Sequence, residues 1–270
     1  MKKIGVIGVG NMGAALIKGM LQKKAADAGD VSVFDACGGK AERFAADCGV
    51  CAAPDAGQLA ERSDLVIVAV KPHDAPPLLA QIKGRLSAGK TVFSVVMGLS
   101  IEAMCRLTDG RARYIRCMPN TPALVNEGMI CMSFGDGFSD AERRHVASLF
   151  SSVGLVEELP EAMLGKITSL TGSSPAYVFA FIEAMADAAV HSGVPRETAY
   201  RLAAQSVQGS ARMVLQTKKH PGELKDNVCS PGGSTIEAMR VLEKTGFRSS
   251  VIEAMLACNE KADEVAKANG

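Results

Sequence analysis

The sequence predicts an α/β domain built on a mostly parallel sheet, followed by an all-helical domain. Three observations carry this. Short apolar runs alternate with helical patterns from residue 4 to residue 158, as βαβ units require. A glycine cluster joins the first apolar run to the first helical pattern. From Pro160 onward the strand-like runs stop, and long patterns rich in Ala, Leu and Met take over. The expected domains are therefore residues 1–160 and 161–270.

The opening stretch Ile4-Gly-Val-Ile-Gly-Val-Gly-Asn-Met-Gly13 reads as strand, tight turn and helix start, with helical pattern from Ala14 to Leu21. In a Rossmann unit the first glycine permits the turn, the second lets a pyrophosphate approach the backbone, and the third lets helix and strand pack closely. Free N–H groups and the positive end of the helix then face the phosphates. Ile7, Gly8, Val9, Gly10, Asn11, Met12 and Gly13 are thus candidate cofactor contacts.

Val31-Ser-Val-Phe-Asp35 is a second strand ending in a carboxylate. An acid there accepts hydrogen bonds from the adenosine ribose and repels a 2′-phosphate, so Asp35 argues for NADH. Lys40 and Arg43 stand close enough in sequence to rescue a phosphate, and a solvated turn residue is the plainer alternative. A helix over 38–48, a strand over Val50–Ala53 and a helix over Ala56–Arg62 follow. Asp64-Leu-Val-Ile-Val-Ala-Val70 is continuously apolar, as a strand covered on both faces should be. Ligands bind beyond the carboxyl ends of parallel strands, which places Ala69, Val70, Lys71 and Pro72 beside the cofactor.

A helix near 77–86, a strand over Thr91–Val96, a helix near 100–108 and a strand over Tyr114–Cys117 come next. The last of these runs into Met118-Pro-Asn-Thr-Pro122, where two prolines predict an extended, rigid loop. Met129–Ser133 and Gly154–Glu158 read as strands separated by a helix over Asp140–Val153, and the final strand should end the sheet.

Beyond Pro160, helices are predicted over 161–170, 174–192, 196–217, 233–244 and 248–267, with Pro195 and Pro221 at first-turn positions. The helix Pro175–His191 has few charges around its circumference and needs cover on all sides. Another subunit is the simplest cover, with a single-chain bundle wrapped around it as the alternative.

Composition excludes several classes. A formal net charge of +1 and an aromatic content of 4% offer neither the basic footprint nor the stacking platforms of a nucleic-acid binder. No apolar run is long enough to span a bilayer and residues 1–10 carry the first strand, so a cytoplasmic protein without membrane partners is expected. Eight cysteines are scattered. Cys48-Gly-Val-Cys51 has metal spacing, but no second pair completes a zinc site, and no metal is expected. His73, His145, His191 and His220 are isolated and read as capping or solvated groups.

A second constellation lies at His220-Pro-Gly-Glu-Leu-Lys-Asp-Asn-Val-Cys-Ser-Pro-Gly-Gly-Ser-Thr235. Pro231-Gly-Gly-Ser-Thr breaks one helix and starts another, leaving the N–H groups of residues 232–235 without intrahelical partners. Such a helix start receives a carboxylate or phosphate. A glycine-rich turn with Ser234 or Thr235 merely capping the helix is the alternative.

These motifs, with Ala69-Val-Lys-Pro-His73, Arg116-Cys-Met-Pro-Asn-Thr-Pro122, Thr171-Gly-Ser-Ser-Pro-Ala-Tyr177 and Gly246-Phe-Arg248, closely resemble the Δ1-pyrroline-5-carboxylate reductase family along essentially the whole chain. The resemblance implies a Rossmann domain and a helical domain interlocked in a homodimer, with dimers assembled further in some members. It also implies hydride transfer from NAD(P)H, commonly NADPH, to the C5 imine carbon of pyrroline-5-carboxylate, giving L-proline. By position, Thr235 would hydrogen-bond the ring nitrogen, and the N–H groups near Gly232, Gly233 and Ser234 would hold the substrate carboxylate. Asn227 and Ser230 would shape that pocket, while Ala69 to Pro72 and Asn120, Thr121 and Pro122 would border the cofactor. A protonated imine is already electrophilic, so placement and charge matching suffice, without a metal or strong acid.

Two departures stand out. Ser174 replaces the glycine usual in Gly-Ser-Gly-Pro-Ala-Tyr, and Asp35 replaces the polar or basic residues that accept NADPH. A β-hydroxyacid dehydrogenase, the competing enzyme plan, needs a lysine followed four residues later by asparagine. Here Lys166 is followed by Leu170. A nucleotide-sensing or scaffolding protein is the non-enzymatic alternative, disfavoured by intact Asn120, Thr235 and glycines.

Overall fold

A computed structural model describes residues 3–269. One compact unit takes in the chain to Gly172 and again from Ala262, and a second spans Ser173–Lys261.

The first unit is an eight-stranded sheet: β1 (Ile4–Ile7), β2 (Val31–Phe34), β3 (Cys51–Ala52), β4 (Leu65–Val68), β5 (Thr91–Ser94), β6 (Arg113–Met118), β7 (Gly128–Phe134) and β8 (Gly154–Glu158). Their spatial order is β3-β2-β1-β4-β5-β6-β7-β8. The five pairings from β3 through β6 are parallel, and so is that between β7 and β8, as crossover helices allow. β7 alone runs antiparallel to its neighbour β6, because the short connection between them holds no crossover helix.

The helices α1 (Asn11–Gln22), α2 (Lys40–Cys48), α3 (Ala56–Arg62), α4 (Ala75–Ile82), α5 (Ile101–Leu107) and α6 (Asp140–Phe150) cover the two faces. β4 shows why its sequence is apolar throughout. Leu65 and Ile67 enter one core layer with Leu16 and Phe150, and Val66 and Val68 enter the other with Leu59, Leu79 and Met104. Phe93 and Phe150 stack with centroids 4.0 Å apart and planes 6° from parallel.

Several elements differ from expectation for local reasons. α1 begins at Asn11, directly on the glycine turn, and α4 begins at Ala75 with a proline in its first turn. The loop after β6 is extended only to Asn120. Thr121–Val125 then coils into a 3-10 turn, with Pro122 in its first turn supplying a φ already set for helix. The helix expected over 161–170 is shorter: α7 (Glu161–Lys166) gives way to a π-helical turn over Thr168–Ser173. Thr168 and Thr171 hydroxyls donate there to the carbonyls of Leu164 and Ile167, loosening the regular ladder.

The second unit contains α8 (Ser174–His191), α9 (Arg196–Thr217), α10 (Pro221–Val228), α11 (Ser234–Lys244) and α12 (Phe247–Asn269) as far as Lys261. α10 was marked in the sequence only by Pro221, now seen in its first turn. The single-chain bundle around α8 is not formed. Only Ala186 of that helix is buried, and Phe179 is 61% exposed.

Phe150 is the largest contribution of α6 to its core layer. Phe150→Ala is expected to lower the unfolding free energy by about 3–5 kcal/mol. Urea denaturation would measure it, and an unchanged midpoint would contradict the assignment of this stack to the core.

Candidate functional site

The glycine turn is built by contacts that leave one position free. Gly8 has φ +98°, and a Cβ there would stand 2.5 Å from the Ala69 carbonyl oxygen. A Cβ at Gly13 would stand 2.0 Å from the Gly8 carbonyl oxygen. The chain itself therefore demands glycine at 8 and 13. Gly10 is different: it has φ −70°, and a Cβ would meet nothing within 4 Å. Its bareness serves something outside the chain. The open space lies at the N-terminus of α1, whose first N–H groups lack intrahelical acceptors.

Ile7 is buried at the end of β1 and accepts from the Ala69 N–H at 2.8 Å, while the Gly8 N–H donates to the Phe34 carbonyl at 2.8 Å. Asn11 and Met12 form the first turn of α1. A cavity of about 360 Å³ opens here, with Val9, Gly10, Asn11, Lys18 and Lys40 among its walls. Ala69 and Val70 are half-buried beyond β4, and Lys71 and Pro72 lead into an exposed 3-10 turn. Sequence reading did not single out Lys18.

Asp35 is not a free turn carboxylate. Its oxygens accept from the Val9 N–H at 2.9 Å, the Cys37 N–H at 3.0 Å and the Lys40 ammonium at 3.1 Å. Burial pushes its carboxyl up, but these hydrogen bonds and the Lys40 charge hold it below the usual carboxylate range.

Asn120 is likewise committed to the chain. Its Oδ1 accepts from the Met129 N–H at 2.8 Å, and its Nδ2 donates to the Thr171 carbonyl at 3.0 Å, tying the loop after β6 to β7 and to the π-helical turn. Thr121 is exposed and Pro122 half-buried in the 3-10 turn.

In the second unit, Asn227 lies exposed near the end of α10, and Ser230 begins the turn to α11. Gly232 has φ +69°, a conformation that favours glycine. The Gly233 N–H is not free, because it donates to the Ser230 carbonyl at 3.0 Å. Gly233 is the N-cap of α11, so no side chain caps that helix. Ser234 and Thr235 occupy its first turn, and the capping alternative for both hydroxyls is removed. His220 does cap α10, its Nδ1 accepting from the Gly222 N–H at 3.0 Å.

No group of three or more His, Cys, Asp or Glu side chains among the described residues could hold a metal ion. No helix among them is long and apolar enough to cross a membrane.

Comparison with known proteins adds the following. A family model described as pyrroline-5-carboxylate reductase dimerisation matches residues 161–265, and one described as NADP oxidoreductase coenzyme F420-dependent matches residues 3–98. The chain is 44% identical over 266 residues to the pyrroline-5-carboxylate reductase of Escherichia coli, covering 98% of this chain and 99% of that protein. Among solved structures, a pyrroline-5-carboxylate reductase from Coxiella burnetii superposes with a TM-score of 0.91 at 33% identity, covering 97% and 98% of the two chains. A pyrroline carboxylate reductase of Plasmodium falciparum with NADP bound gives a TM-score of 0.86 at 30% identity, covering 98% of each.

The glycines make a paired test. Gly10→Ala is expected to fold with an unchanged melting temperature while nucleotide affinity falls, whereas Gly13→Ala is expected to melt lower. Scanning calorimetry and titration with nicotinamide nucleotide would read both. Unimpaired binding by Gly10→Ala would show that no ligand uses that space.

Proposed function

We take as premise that the chain belongs to the pyrroline-5-carboxylate reductase family, and we propose how its residues divide the work. The protein is an NAD(P)H-dependent oxidoreductase that reduces 1-pyrroline-5-carboxylate to L-proline, the last step of proline synthesis. The observation that carries the nucleotide assignment is Gly10, a glycine that the chain does not need and a pyrophosphate does.

When bound, the reduced nicotinamide supplies the hydride that reaches the C5 imine carbon. The residues Gly8 to Gly13 seat the pyrophosphate on the N-terminus of α1, and Ala69 to Pro72 with Asn120 to Pro122 border the nucleotide. This reading is supported by their placement at the carboxyl ends of β4 and β6. Asp35 disfavours a 2′-phosphate and so favours NADH, with a strength reduced by the donors it already holds.

The start of α11 takes the substrate. N–H groups of Ser234 and Thr235 hold the carboxylate at the positive end of the helix, and Thr235 hydrogen-bonds the ring nitrogen. Asn227 and Ser230 flank this turn. Support comes from the uncapped helix end and from a Thr235 hydroxyl that makes no hydrogen bond among the described residues. Residues 161–270 form the functional half that pairs with a second copy. The family model over 161–265 and the exposed apolar face of α8 and α9 support this. The same reading has the enzyme act in the cytoplasm.

Thr235→Ala is expected to lower kcat/KM roughly ten- to hundredfold, the cost of one hydrogen bond to a charged group, with melting temperature unchanged. Thr235→Ser should retain much of the activity. Normal kinetics in Thr235→Ala would remove the hydroxyl from the reaction. For self-association, Ala180 lines an open groove of about 570 Å³ with Phe179 and Tyr200. Ala180→Glu places an unpaired charge in that face, at a cost of several kcal/mol when buried, and should yield monomer or aggregate by sedimentation. A stable, active dimer would place the interface elsewhere.

A further inference from the structure

His220-Pro-Gly222 opens the second constellation of the sequence, yet the division of work above uses nothing in that constellation before Asn227. The three residues form a cap. The His220 ring lies over the first turn of α10, its Nδ1 accepting from the Gly222 N–H at 3.0 Å. Pro221 has no N–H to satisfy, and its φ is already set for helix. A Cβ at Gly222 would stand 2.9 Å from Nδ1 and 3.2 Å from Cε1, so a side chain there would push the ring off its bond. α10 depends on such ends. It has eight residues, none of them buried, and helices of that length are marginal without tertiary support. Its far end leads directly into the substrate turn: the Cys229 N–H donates to the Lys225 and Asp226 carbonyls, and the Gly233 N–H to the Ser230 carbonyl.

We infer that His220 is a positioning residue for the reduction: its neutral imidazole caps α10 and so holds Asn227 and the turn from Ser230 to Gly233 as the substrate needs them, and protonation of the ring releases them. The inference rests on the assignment of the substrate to the start of α11. Nδ1 accepts a hydrogen bond only while it carries no proton, and an imidazolium has two donors and no acceptor. The charged ring would face the Gly222 N–H donor to donor, with a positive charge at the positive end of the helix. Imidazole changes charge between about pH 5 and 8, so the cap is intact at the alkaline end of that range and lost at the acid end. The charged groups beside the ring belong to its own segment: Lys218, and Lys219 with Glu223, which pair at 2.6 Å. Among the described residues no other element pairs an acid or a base with His220.

His220→Asn separates capping from titration, because an asparagine oxygen also caps a helix and gains no proton in this range. Steady-state kcat and KM for pyrroline-5-carboxylate would be measured from about pH 5.5 to about pH 8 in the wild type, His220→Asn and His220→Ala. Nucleotide affinity, titrated without substrate, serves as the control. His220→Asn is expected to match the wild type at the alkaline end and to exceed its kcat/KM by about three- to fivefold at the acid end, the usual effect of one helix cap. The difference should lie in KM. Protonation of the imine substrate acts on both proteins alike and cancels in their ratio. His220→Ala should show the raised KM at every pH, with nucleotide affinity unchanged. If His220→Ala does not fold, the ratio of His220→Asn to wild type decides the matter without it. An acid limb in His220→Asn identical to that of the wild type, or a His220→Ala protein with wild-type KM at the alkaline end, would overturn the inference. A lower melting temperature with unmoved KM would overturn it too, leaving His220 a cap and nothing more. These outcomes beside an impaired Thr235→Ala leave the substrate reading standing, whereas normal kinetics in Thr235→Ala would defeat that reading and this inference with it.

Discussion

The first unit depends on a contact between backbones with no side chains between them. The Gly8 carbonyl and the Gly13 Cα approach so closely that a methyl group on residue 13 would sit 2.0 Å from that oxygen. Gly8 in turn abuts Ala69 at the end of β4. These approaches seat α1 directly on the sheet, with its N-terminus beyond the carboxyl ends of β1 and β4. β1 lies between β2 and β4, so the chain leaves it on one side and later returns on the other. Such a reversal opens a crevice at the sheet edge, and the positive end of α1 lies at it.

The walls of that crevice are held by polar side chains that bond to backbone. Asp35 ties the Val9 N–H to the end of β2, and Asn120 ties the loop after β6 to β7 and to the π-helical turn. Both residues were singled out from the sequence as cofactor contacts. Asp35 spends three of about four acceptor sites on the chain, and Asn120 uses both its oxygen and its nitrogen there. A buried amide or carboxylate with its partners satisfied fixes the backbone around it, which keeps a binding surface in shape before its ligand arrives.

The second unit follows a different economy. Its buried apolar side chains among the described residues are Ala186, Ala199 and Ala203, a small core for five helices. Larger groups such as Phe179, Leu202 and Leu215 face outward. Burial of apolar area is the main term that stabilises packed helices, and here much of that area stays exposed. The match of residues 161–265 to a dimerisation family model fits self-association of this half.

The sequence by itself determined whatever depends on short-range pattern. The continuous apolar run at Leu65–Val68 announced a strand covered on both faces, and the three glycines announced the turn and helix at 8–13. The change of period after Pro160 announced helices, and Arg196–Thr217 was read to the residue because proline and a charged first turn mark its start. What only the tertiary structure decided were features set by partners distant in the chain. The antiparallel direction of β7, the pairing of Asp35 with Val9 across 26 residues and of Asn120 with Thr171 across 51, and the exposure of all of α8 but Ala186 and a few half-buried residues depend on neighbours. A donor or acceptor in a sequence can be inventoried, but the group that satisfies it is chosen by packing, and local pattern holds no record of that choice.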